Sequence, residues 1–284
     1  MKAPAAGPDA TSAHGVAPGA DVATGRGEQA LPQRIVSLVP STTESLAALG
    51  VAARVVGRTR YCVHPAPWVD GVRAVGGTKD PDLAAIAALA PDLIVVNREE
   101  NKPAHFPALE ALAPLHVGYP RDVDGALADL RALAARVGAE AEGAALIERI
   151  ELARQRMQAA LRPSPGAAPP RFRYAYLIWR RPWMSVNGDT FIHALLAEAG
   201  GENVCAAAAE RYPQLTLDEL RAADPEVLLL ASEPYPFEEE HAPEFGPLAL
   251  RCQLVDGELL SWHGARLQHA FPYLATRVPA WARG

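Results

Sequence analysis

The chain has few cysteines and no long apolar run, and both absences exclude classes of protein. Its 284 residues include three cysteines, which cannot all pair with one another and lack metal-finger spacing. The sequence therefore predicts no disulfide framework. A transmembrane helix needs about 18 consecutive apolar residues, and the sequence has no run of that length, so we expect no membrane span.

An excess of positive charge is also missing. Twenty-seven basic residues stand against 33 acidic ones, which gives a formal net charge of −6. Proteins that bind nucleic acid neutralise phosphates with a basic surface, so we expect no nucleic-acid partner. Hydrophobic residues make up 49% of the chain and charged residues 21%. This balance is sufficient for a sizeable core in one or two domains.

Common catalytic motifs are absent as well. The sequence contains no Gly-x-Ser-x-Gly elbow, no His-Glu-x-x-His pair and no phosphate loop of the Gly-x-x-x-x-Gly-Lys type. This absence favours binding over catalysis. Residues 1–33 are rich in Ala, Gly, Pro and Asp and predict a disordered tail. They lack the apolar stretch of a secretory signal, so the sequence by itself predicts a cytoplasmic location.

One long helix is predicted over 138–162. Apolar residues such as Leu146 and Ile150 recur there at helical spacing, with charged residues on the other face. Such a helix spans roughly 30 Å, and the proline-rich segment after it ends it. Because a similar α/β unit lies on each side, we expect a rigid strut between an N-terminal lobe, 34–137, and a C-terminal lobe, 163–284.

Short apolar runs predict the strands of both lobes. They cover 34–39 and 92–96 in the first half, and 174–179 and 227–230 in the second. Continuous apolar runs of this length are typical of buried parallel strands. The helical patterns between them predict an α/β fold with parallel sheets flanked by helices in each lobe.

Two capping boxes are predicted to begin helices, one in each lobe. One pairs Ser41 with Glu44 and the other pairs Thr216 with Glu219. The halves also match in the order of their elements and in the prolines that end their second helices, which indicates a duplicated lobe. The alternative is that unrelated βα units resemble one another.

The candidate site lies in the loops at the carboxyl ends of the predicted strands, where parallel sheets bind ligands. If the strut holds the lobes face to face, these loops converge on one cleft. The candidate ligand-binding residues are Arg60, Tyr61, Lys79, Asn97, Trp179, Trp183, Arg211, Tyr212, Tyr235, Trp262 and Arg266. Aromatic walls with a few polar groups suit a bulky planar ligand. The alternative is that the aromatic residues belong to the lobe cores.

Five further side chains lie in the same loops. Cys62 and His64 are one residue apart, so on an extended loop both point the same way and become candidate metal ligands. Two ligands do not close a metal site, and the alternative is an inert buried thiol. Glu99, Glu100 and Glu233 are either solvated loop charges or take part in docking or cation capture.

Several motifs carry a family resemblance. The segments Arg34–Glu44, Val75–Gly77, Ala88–Val95, Gly200–Val204 and Tyr212–Thr216 resemble the substrate-binding proteins of ABC transporters for cobalamin and iron chelates. The resemblance runs in order from about Arg34 to the C-terminus. It implies two α/β lobes joined by one long helix, a fold called the helical-backbone metal receptor. It also implies a periplasmic location.

The resemblance extends to individual residues. Tyr61 and Tyr212 match positions that line the cleft in cobalamin binders, whereas Thr78 and Asn97 replace expected tryptophans. In transport members, one acidic residue on each lobe docks onto arginines of the permease. The resemblance gives this role to Asp218 or Glu219 in the second lobe, while Ala85 occupies the matching position in the first.

The hypothesis from the sequence is a monomeric, non-catalytic protein that needs no cofactor and binds a metal chelate, a corrinoid or an iron complex, for an ABC importer. Tyr61, Trp183 and Tyr212 would pack on the ligand. Two alternatives stay open. One is a cytoplasmic corrinoid- or metal-handling protein without a permease, and the other is a chelatase-like enzyme that uses Cys62 and His64.

Overall fold

The first lobe is built on a five-stranded parallel sheet. In the computed structural model, which describes residues 30–162, 164, 167, 170–248 and 250–282, apolar side chains fill its central strands. The strand order is β3-β2-β1-β4-β5, with β1 at Ile35–Ser37, β2 at Val55–Arg58, β3 at Arg73–Ala74, β4 at Leu93–Asn97 and β5 at Leu115–Gly118. The helices of this lobe are α1 at Pro40–Ala48, α2 at Leu83–Ala88, α3 at Phe106–Glu110 and α4 at Val123–Val137.

The predicted strut is present as one uninterrupted helix, α5, at Glu140–Leu161. Its buried side chains include Leu146 and Ile150, as the helical pattern requires. Arg154 lies on this helix between the lobes. Its Nε donates to Glu198 at 2.6 Å in the second lobe, and its Nη1 donates to Asp124 at 2.7 Å on α4. One arginine on the strut thus contacts helices of both lobes.

The second lobe has a four-stranded parallel sheet and a separate antiparallel pair. Its strands are β6 at Phe172–Leu177, β7 at Trp183–Met184, β8 at Gly201–Asn203, β9 at Gln214–Leu215, β10 at Val227–Ala231 and β11 at Cys252–Val255. The sheet order is β11-β10-β6-β8, and β7 pairs with β9. The helices of this lobe are α6 at Phe191–Glu198, α7 at Leu217–Ala223, α8 at Gly257–Ser261 and α9 at Leu267–Trp281.

The two sheets share one strand order. Reading β6 as the counterpart of β1, the order β8-β6-β10-β11 repeats β2-β1-β4-β5. This repetition agrees with the prediction of two lobes built on one plan. Short 3-10 helices complete the elements, at Ala52–Arg54, Trp68–Gly71, Pro103–His105, Glu239–Leu248 and Gly264–Arg266.

The described residues include no helix with the length and hydropathy of a membrane span. The predicted disordered tail, 1–33, lies outside the described residues except for its last four. Of these, Gln33 belongs to the folded lobe, because its backbone N–H donates to Asp92 Oδ2 at 2.7 Å.

One capping box is confirmed and the other is wrong. On α7, the Thr216 hydroxyl accepts from the Glu219 N–H, and the Glu219 carboxylate accepts from the Thr216 N–H. On α1, Pro40 begins the helix and the residue before it provides no side-chain cap. The predicted cap, Ser41, lies inside the helix, and Glu44 pairs instead with Arg266 of the second lobe at 2.8 Å.

The segment before α9 crosses to the first lobe and lies on α1. The Ala265 N–H donates to Ser45 Oγ at 3.0 Å. Gly264 has φ of +75°, and a Cβ there would lie 2.3 Å from the same hydroxyl. Only glycine combines this backbone conformation with so close an approach. The C-terminal part of the second lobe is therefore anchored on the first helix of the chain.

Candidate functional site

The loops at the carboxyl ends of the two sheets contact each other across a seam between the lobes. The first lobe contributes the loops after β2, β4 and β5, and the second contributes the loops after β6, β7, β8 and β10 together with α8. This arrangement agrees with the expectation that the loops converge. We call this region the seam, and its residues are described from one end to the other.

At one end, a group of charged residues joins the lobes, which we call the cross-lobe ion network: Glu99, Arg121, Asp189, Arg211 and Tyr212. Arg211 Nε lies 3.0 Å from Glu99 Oε1, and the Tyr212 hydroxyl donates to the same carboxylate. Arg211 Nη1 and Arg121 Nη1 lie 2.7 and 2.8 Å from the two Asp189 oxygens. Two residues predicted to contact ligand, Arg211 and Tyr212, are thus bonded to the opposite lobe.

Tyr119 is a member of the seam that the sequence analysis missed. Its ring lies 5.4 Å from the Arg211 guanidinium carbon, and its side chain is 40% exposed. Tyr119 follows β5 directly, so the same rule about strand ends would have identified it. The sequence signal was therefore available, but the short strand before it was not recognised.

At the other end, His64 bridges to the second lobe. Its Nε2 lies 2.9 Å from Glu258 Oε2, and its ring meets Trp262 edge-on at 5.7 Å. Arg266 lies beneath, with its guanidinium carbon 4.9 Å from the centre of the Trp262 ring and Nη1 3.4 Å from Glu258. Because Glu44 and Glu258 both pair with Arg266, this predicted ligand contact also joins the lobes.

The prediction that Cys62 and His64 point the same way is wrong. A turn reverses the chain before them, with the Cys62 N–H donating to the Thr59 carbonyl at 3.1 Å. The Cys62 thiol is buried between the hydroxyls of Thr43 and Thr59, each 3.1 Å away, and this burial raises its pKa. Within the described ranges, no three His, Cys, Asp or Glu residues are grouped as metal ligands would be.

Asn97 and His263 form the buried middle of the seam. Asn97 Oδ1 accepts from the Glu99 N–H at 2.7 Å, so its Nδ2 is the group that faces His263 Nε2 at 3.3 Å. Burial lowers the pKa of His263, which keeps the imidazole neutral and able to accept this bond. Asn97 therefore shapes the loop after β4 and positions its glutamates.

Two carboxyl groups face the seam from opposite lobes. Glu233 Oε1 accepts from Ser261 Oγ and from Trp262 Nε1, each at 2.7 Å. Burial raises the pKa of Glu233, and the charges of Glu258 and Glu100 act in the same direction. Glu100 is exposed to solvent, yet the protein around it raises its pKa by desolvation.

Basic side chains at the seam already have acidic or carbonyl partners. Arg60 pairs with Asp80 at 3.0 Å, and the Lys79 ammonium donates to the Glu99 carbonyl. Arg60 also lies over the Tyr61 ring, with its guanidinium carbon 5.0 Å from the ring centre. The predicted contacts between these cations and a ligand stay predictions. Each cation already has a hydrogen-bond acceptor in the protein, which partly balances its charge.

The predicted aromatic residues divide into open and packed rings. Tyr61 is 51% exposed and Trp179 is 42% exposed, and Trp179 meets Tyr235 edge-on at 5.8 Å. Trp183 is half-buried, with its ring centre 4.7 Å from that of Phe245 in a hydrophobic cluster of the second lobe. The open rings are therefore the ones available to a ligand.

Two other concave surfaces lie away from the seam. One is bordered by residues near the amino ends of the first sheet, including Arg34 and Trp68. The other lies between α4 and α5, beside Arg131 and Ile147. Neither contains a residue predicted to bind ligand, so the seam is the better candidate.

Known proteins resemble this chain in sequence and in fold. A family model described as "Periplasmic binding protein" matches residues 35–244. A vitamin B12-binding protein of Pectobacterium carotovorum is 24% identical over 258 residues, which cover 90% of this chain and 91% of the relative. A vitamin B12-binding protein of Yersinia pestis is 27% identical over 200 residues, which cover 70% of this chain and 69% of the relative.

Solved structures show the same two-lobed fold. The periplasmic vitamin B12 binding protein BtuF of Vibrio cholerae superposes with a TM-score of 0.73 at 18% identity, covering 89% of this chain and 99% of BtuF. A periplasmic heme-binding protein of Roseiflexus gives a TM-score of 0.74 at 22% identity and covers 88% and 99% of the two chains. The family model spans well over half of the chain, and this chain therefore belongs to the periplasmic binding protein family.

Proposed function

We propose that this protein binds a metal chelate, a corrinoid or an iron complex, at the seam between its lobes and delivers it unchanged to an ABC importer. The observation that carries the proposal is the open pair of rings, Tyr61 on one lobe and Trp179 on the other, at the ends of two facing sheets. Large flat ligands bind to aromatic faces flanked by a few polar groups. The vitamin B12- and heme-binding relatives support this ligand class.

The same geometry supports binding without catalysis. A chelatase-like enzyme that used Cys62 would need an accessible thiolate, because the thiolate is the nucleophile and metal ligand. The Cys62 thiol is instead buried among hydroxyls, and His64 is paired with Glu258. Neither side chain is free to act on a bound chelate in this arrangement.

For the permease, the structure favours Asp218 over Glu219 as the docking residue. The Glu219 carboxylate is occupied by the capping box of α7. Asp218 is exposed, and it forms an ion pair with the neighbouring exposed Arg221 at 2.7 Å. An exposed ion pair contributes little free energy, so Asp218 can give up Arg221 and pair with an arginine of a partner at small cost. We place this docking, and thus the protein, on the outer side of the cytoplasmic membrane, as the family resemblance implies.

A ligand panel tests the proposal. Purified protein is titrated with cyanocobalamin, aquocobalamin, heme and ferric siderophores, with absorbance and calorimetry as readouts. We expect one chelate class to bind, and Tyr61→Ala and Trp179→Ala each to weaken it by about tenfold or more. Leu152→Ala, at an exposed apolar residue on α5, is the matched control. The recovered chelate should have its original spectrum and mass.

Two results would contradict the proposal. No binding across the panel would remove the ligand class. A chemically altered chelate would replace the binding role with the enzyme alternative, especially if Cys62→Ala abolished the change. Fractionation of the native host tests the location, since a cytoplasmic pool alone would favour a handling protein without a permease.

A further inference from the structure

The hydroxyl of Tyr235, in the loop after β10, receives a hydrogen bond from a histidine whose tautomer is fixed. The Glu238 N–H donates to His241 Nδ1 at 2.9 Å. A backbone N–H can only donate, so Nδ1 carries no hydrogen, and the hydrogen of the neutral imidazole lies on Nε2. His241 Nε2 lies 3.0 Å from the Tyr235 hydroxyl oxygen and therefore donates to it.

A second donor reaches the same oxygen. Arg180 Nη1 donates to the Tyr235 hydroxyl at 3.4 Å, and a guanidinium cannot accept a bond in return. Both polar neighbours of this hydroxyl are therefore donors. Its own hydrogen has no acceptor in the part of the chain that the structure describes, so it is available to a molecule from outside.

Packing holds this hydroxyl in place. The Tyr235 ring meets Phe237 and His241 edge-on, with ring centres 4.9 and 5.4 Å apart. Phe237 is buried in the hydrophobic cluster of the second lobe, and Tyr235 packs against that cluster. A donor fixed in this way loses little rotamer freedom on binding, which preserves the free energy of the hydrogen bond that it forms.

The Tyr235 ring lies beside an open ring of the seam. Trp179 is exposed and meets Tyr235 edge-on, with the ring centres 5.8 Å apart, while Tyr235 itself is half-buried. The Tyr235 N–H donates to the Ile178 carbonyl at 3.3 Å, which joins the two loops that carry these rings. A flat chelate that stacks on Trp179 therefore has its rim close to Tyr235.

The charges around the hydroxyl are nearly balanced. Arg180 and Arg181 share the Glu244 carboxylate at 2.6 and 3.7 Å. Glu240 Oε1 lies 3.9 Å from His241 Nε2 and adds a second negative charge. Local charge therefore does not select between an anionic and a neutral ligand. The requirement is instead for a hydrogen-bond acceptor, because a donor that loses its water without gaining an acceptor weakens binding.

We infer that Tyr235 is a specificity-determining residue of the seam, and that its hydroxyl donates to an oxygen at the rim of a chelate that packs on Trp179. The inference rests on the proposed function. The oxygen acceptor is a carboxylate, as on heme, or a neutral carbonyl, as in the amides of a corrinoid. His241 and Arg180 are positioning residues, because they occupy the lone pairs of the hydroxyl and leave its hydrogen for the ligand.

Tyr235→Phe tests the donor, since it removes the hydroxyl and keeps the packed ring. Calorimetry gives the affinities of the wild type and the variant for hemin, cyanocobalamin and ferrichrome. Bonds to charged groups are the stronger ones, so we expect about 10- to 100-fold weaker binding for a carboxylate acceptor. For a neutral carbonyl we expect binding about 2- to 10-fold weaker. The size of the loss thus distinguishes the two acceptors.

Tyr174→Phe is the matched control. Tyr174 lies on β6, and its hydroxyl is buried with no hydrogen-bond partner among the described residues. Removing it takes the same group from the same lobe without removing a donor from the seam. The control should therefore bind each of the three probes as the wild type does.

A second measurement tests the premise without ligand. Nitrogen-15 spectra of the imidazoles should show His241 as the Nε2–H tautomer in the unliganded protein at neutral pH. The Nδ1–H tautomer would make Nε2 an acceptor for the Tyr235 hydroxyl, which would overturn the inference.

The binding outcomes are also distinct. If a probe binds and Tyr235→Phe binds it within about twofold of the wild type, the inference is wrong while the proposed function stands. An equal loss in Tyr174→Phe also contradicts it, because the effect is then not local to Tyr235. If none of the three probes binds, the inference fails, and the proposed function fails with it only when the whole chelate panel is negative.

Discussion

Arg211 of the second lobe and Glu99 of the first form an ion pair across the seam, with Nε and Oε1 3.0 Å apart. The Tyr212 hydroxyl donates to the same carboxylate, so one glutamate holds two residues of the opposite lobe. A ligand at this end of the seam either leaves the pair intact or competes with Glu99 for both partners. Only competition for Glu99 would link ligand binding to the separation of the lobes, because an intact pair keeps them joined at this end.

Glu99→Gln should loosen this end of the seam. Removing the charge weakens three charge-assisted hydrogen bonds, so the free energy of unfolding should fall by about 1 to 3 kcal/mol. Chemical denaturation measures this loss. Hydrogen exchange should also become faster near Tyr119 and Tyr212. Glu148→Gln on α5 is the control, and equal exchange in both variants would show that the ion pair does not hold the lobes together.

Cys62 should behave as a structural residue. Its buried thiol has a raised pKa, so iodoacetamide should not label it in the folded protein at neutral pH. Cys252 is partly exposed, so it should be labelled before Cys62, although burial raises its pKa to about 11 and slows the reaction. Cys62→Ala should lower the free energy of unfolding by about 1 to 2 kcal/mol and leave chelate affinity unchanged. Loss of affinity without loss of stability would reopen the metal-ligand role.

Gly143 should resist even the smallest enlargement. A Cβ there would lie 2.5 Å from Ala134 Cβ, where α5 crosses α4. Alanine improves helix propensity by about 1 kcal/mol, but overpacking between two backbones costs about 1 to 3 kcal/mol. We therefore expect Gly143→Ala to destabilise the protein by about 1 to 2 kcal/mol in thermal or chemical unfolding. Ala134→Gly in the same chain should restore stability, and a stable single variant would contradict the close packing.

The pH dependence of the free energy of unfolding should show the raised pKa of the Glu233 carboxyl. Its folded pKa is raised above the usual 4.5, so the folded protein holds this proton to higher pH than the unfolded chain does. Ionisation then costs stability as pH rises above 4.5 through the raised pKa. Glu233→Gln should be more stable than the wild type at neutral pH, and the difference should vanish below pH 4.5.

Glu219 provides a control of the opposite sign. The backbone hydrogen bond from Thr216 lowers the pKa of its carboxyl, so its contribution is present above pH 4.5 and is lost as pH falls through the lowered pKa. Glu219→Gln should therefore be less stable than the wild type at neutral pH. Midpoints of thermal unfolding over a pH series test both variants. Equal pH profiles for the two would contradict the assigned environments.

The elements that depend on local pattern were predictable from the sequence. The strut begins and ends within about two residues of its predicted range. The capping box of Thr216 and Glu219 also forms as predicted, because it lies on an exposed helix end with no competing partner. In both cases the residues that determine the structure lie within a few positions of one another, so the local sequence pattern is enough to predict it.

The errors have tertiary causes. Glu44 has the spacing of a capping residue, but its partner is Arg266, far along the chain in the other lobe. Cys62 and His64 alternate as an extended segment would, but a turn stabilised by Thr59 sends one inward and the other towards Glu258. The ion pairs across the seam could not be predicted from the sequence either, because they form only when the two folded lobes contact each other.

The contacts of Ala265 and Arg266 with α1 can form only late in the synthesis of the chain. Ser45 and Glu44 leave the ribosome early, yet the groups that bond to them are translated about 220 residues later. Until then, the Glu44 carboxylate lacks Arg266, and the face of α1 that contacts Gly264–Arg266 stays uncovered. A nascent chain that stalls before Gly264 therefore presents an unfinished first lobe to cellular proteases, even though every strand of that lobe has already been made.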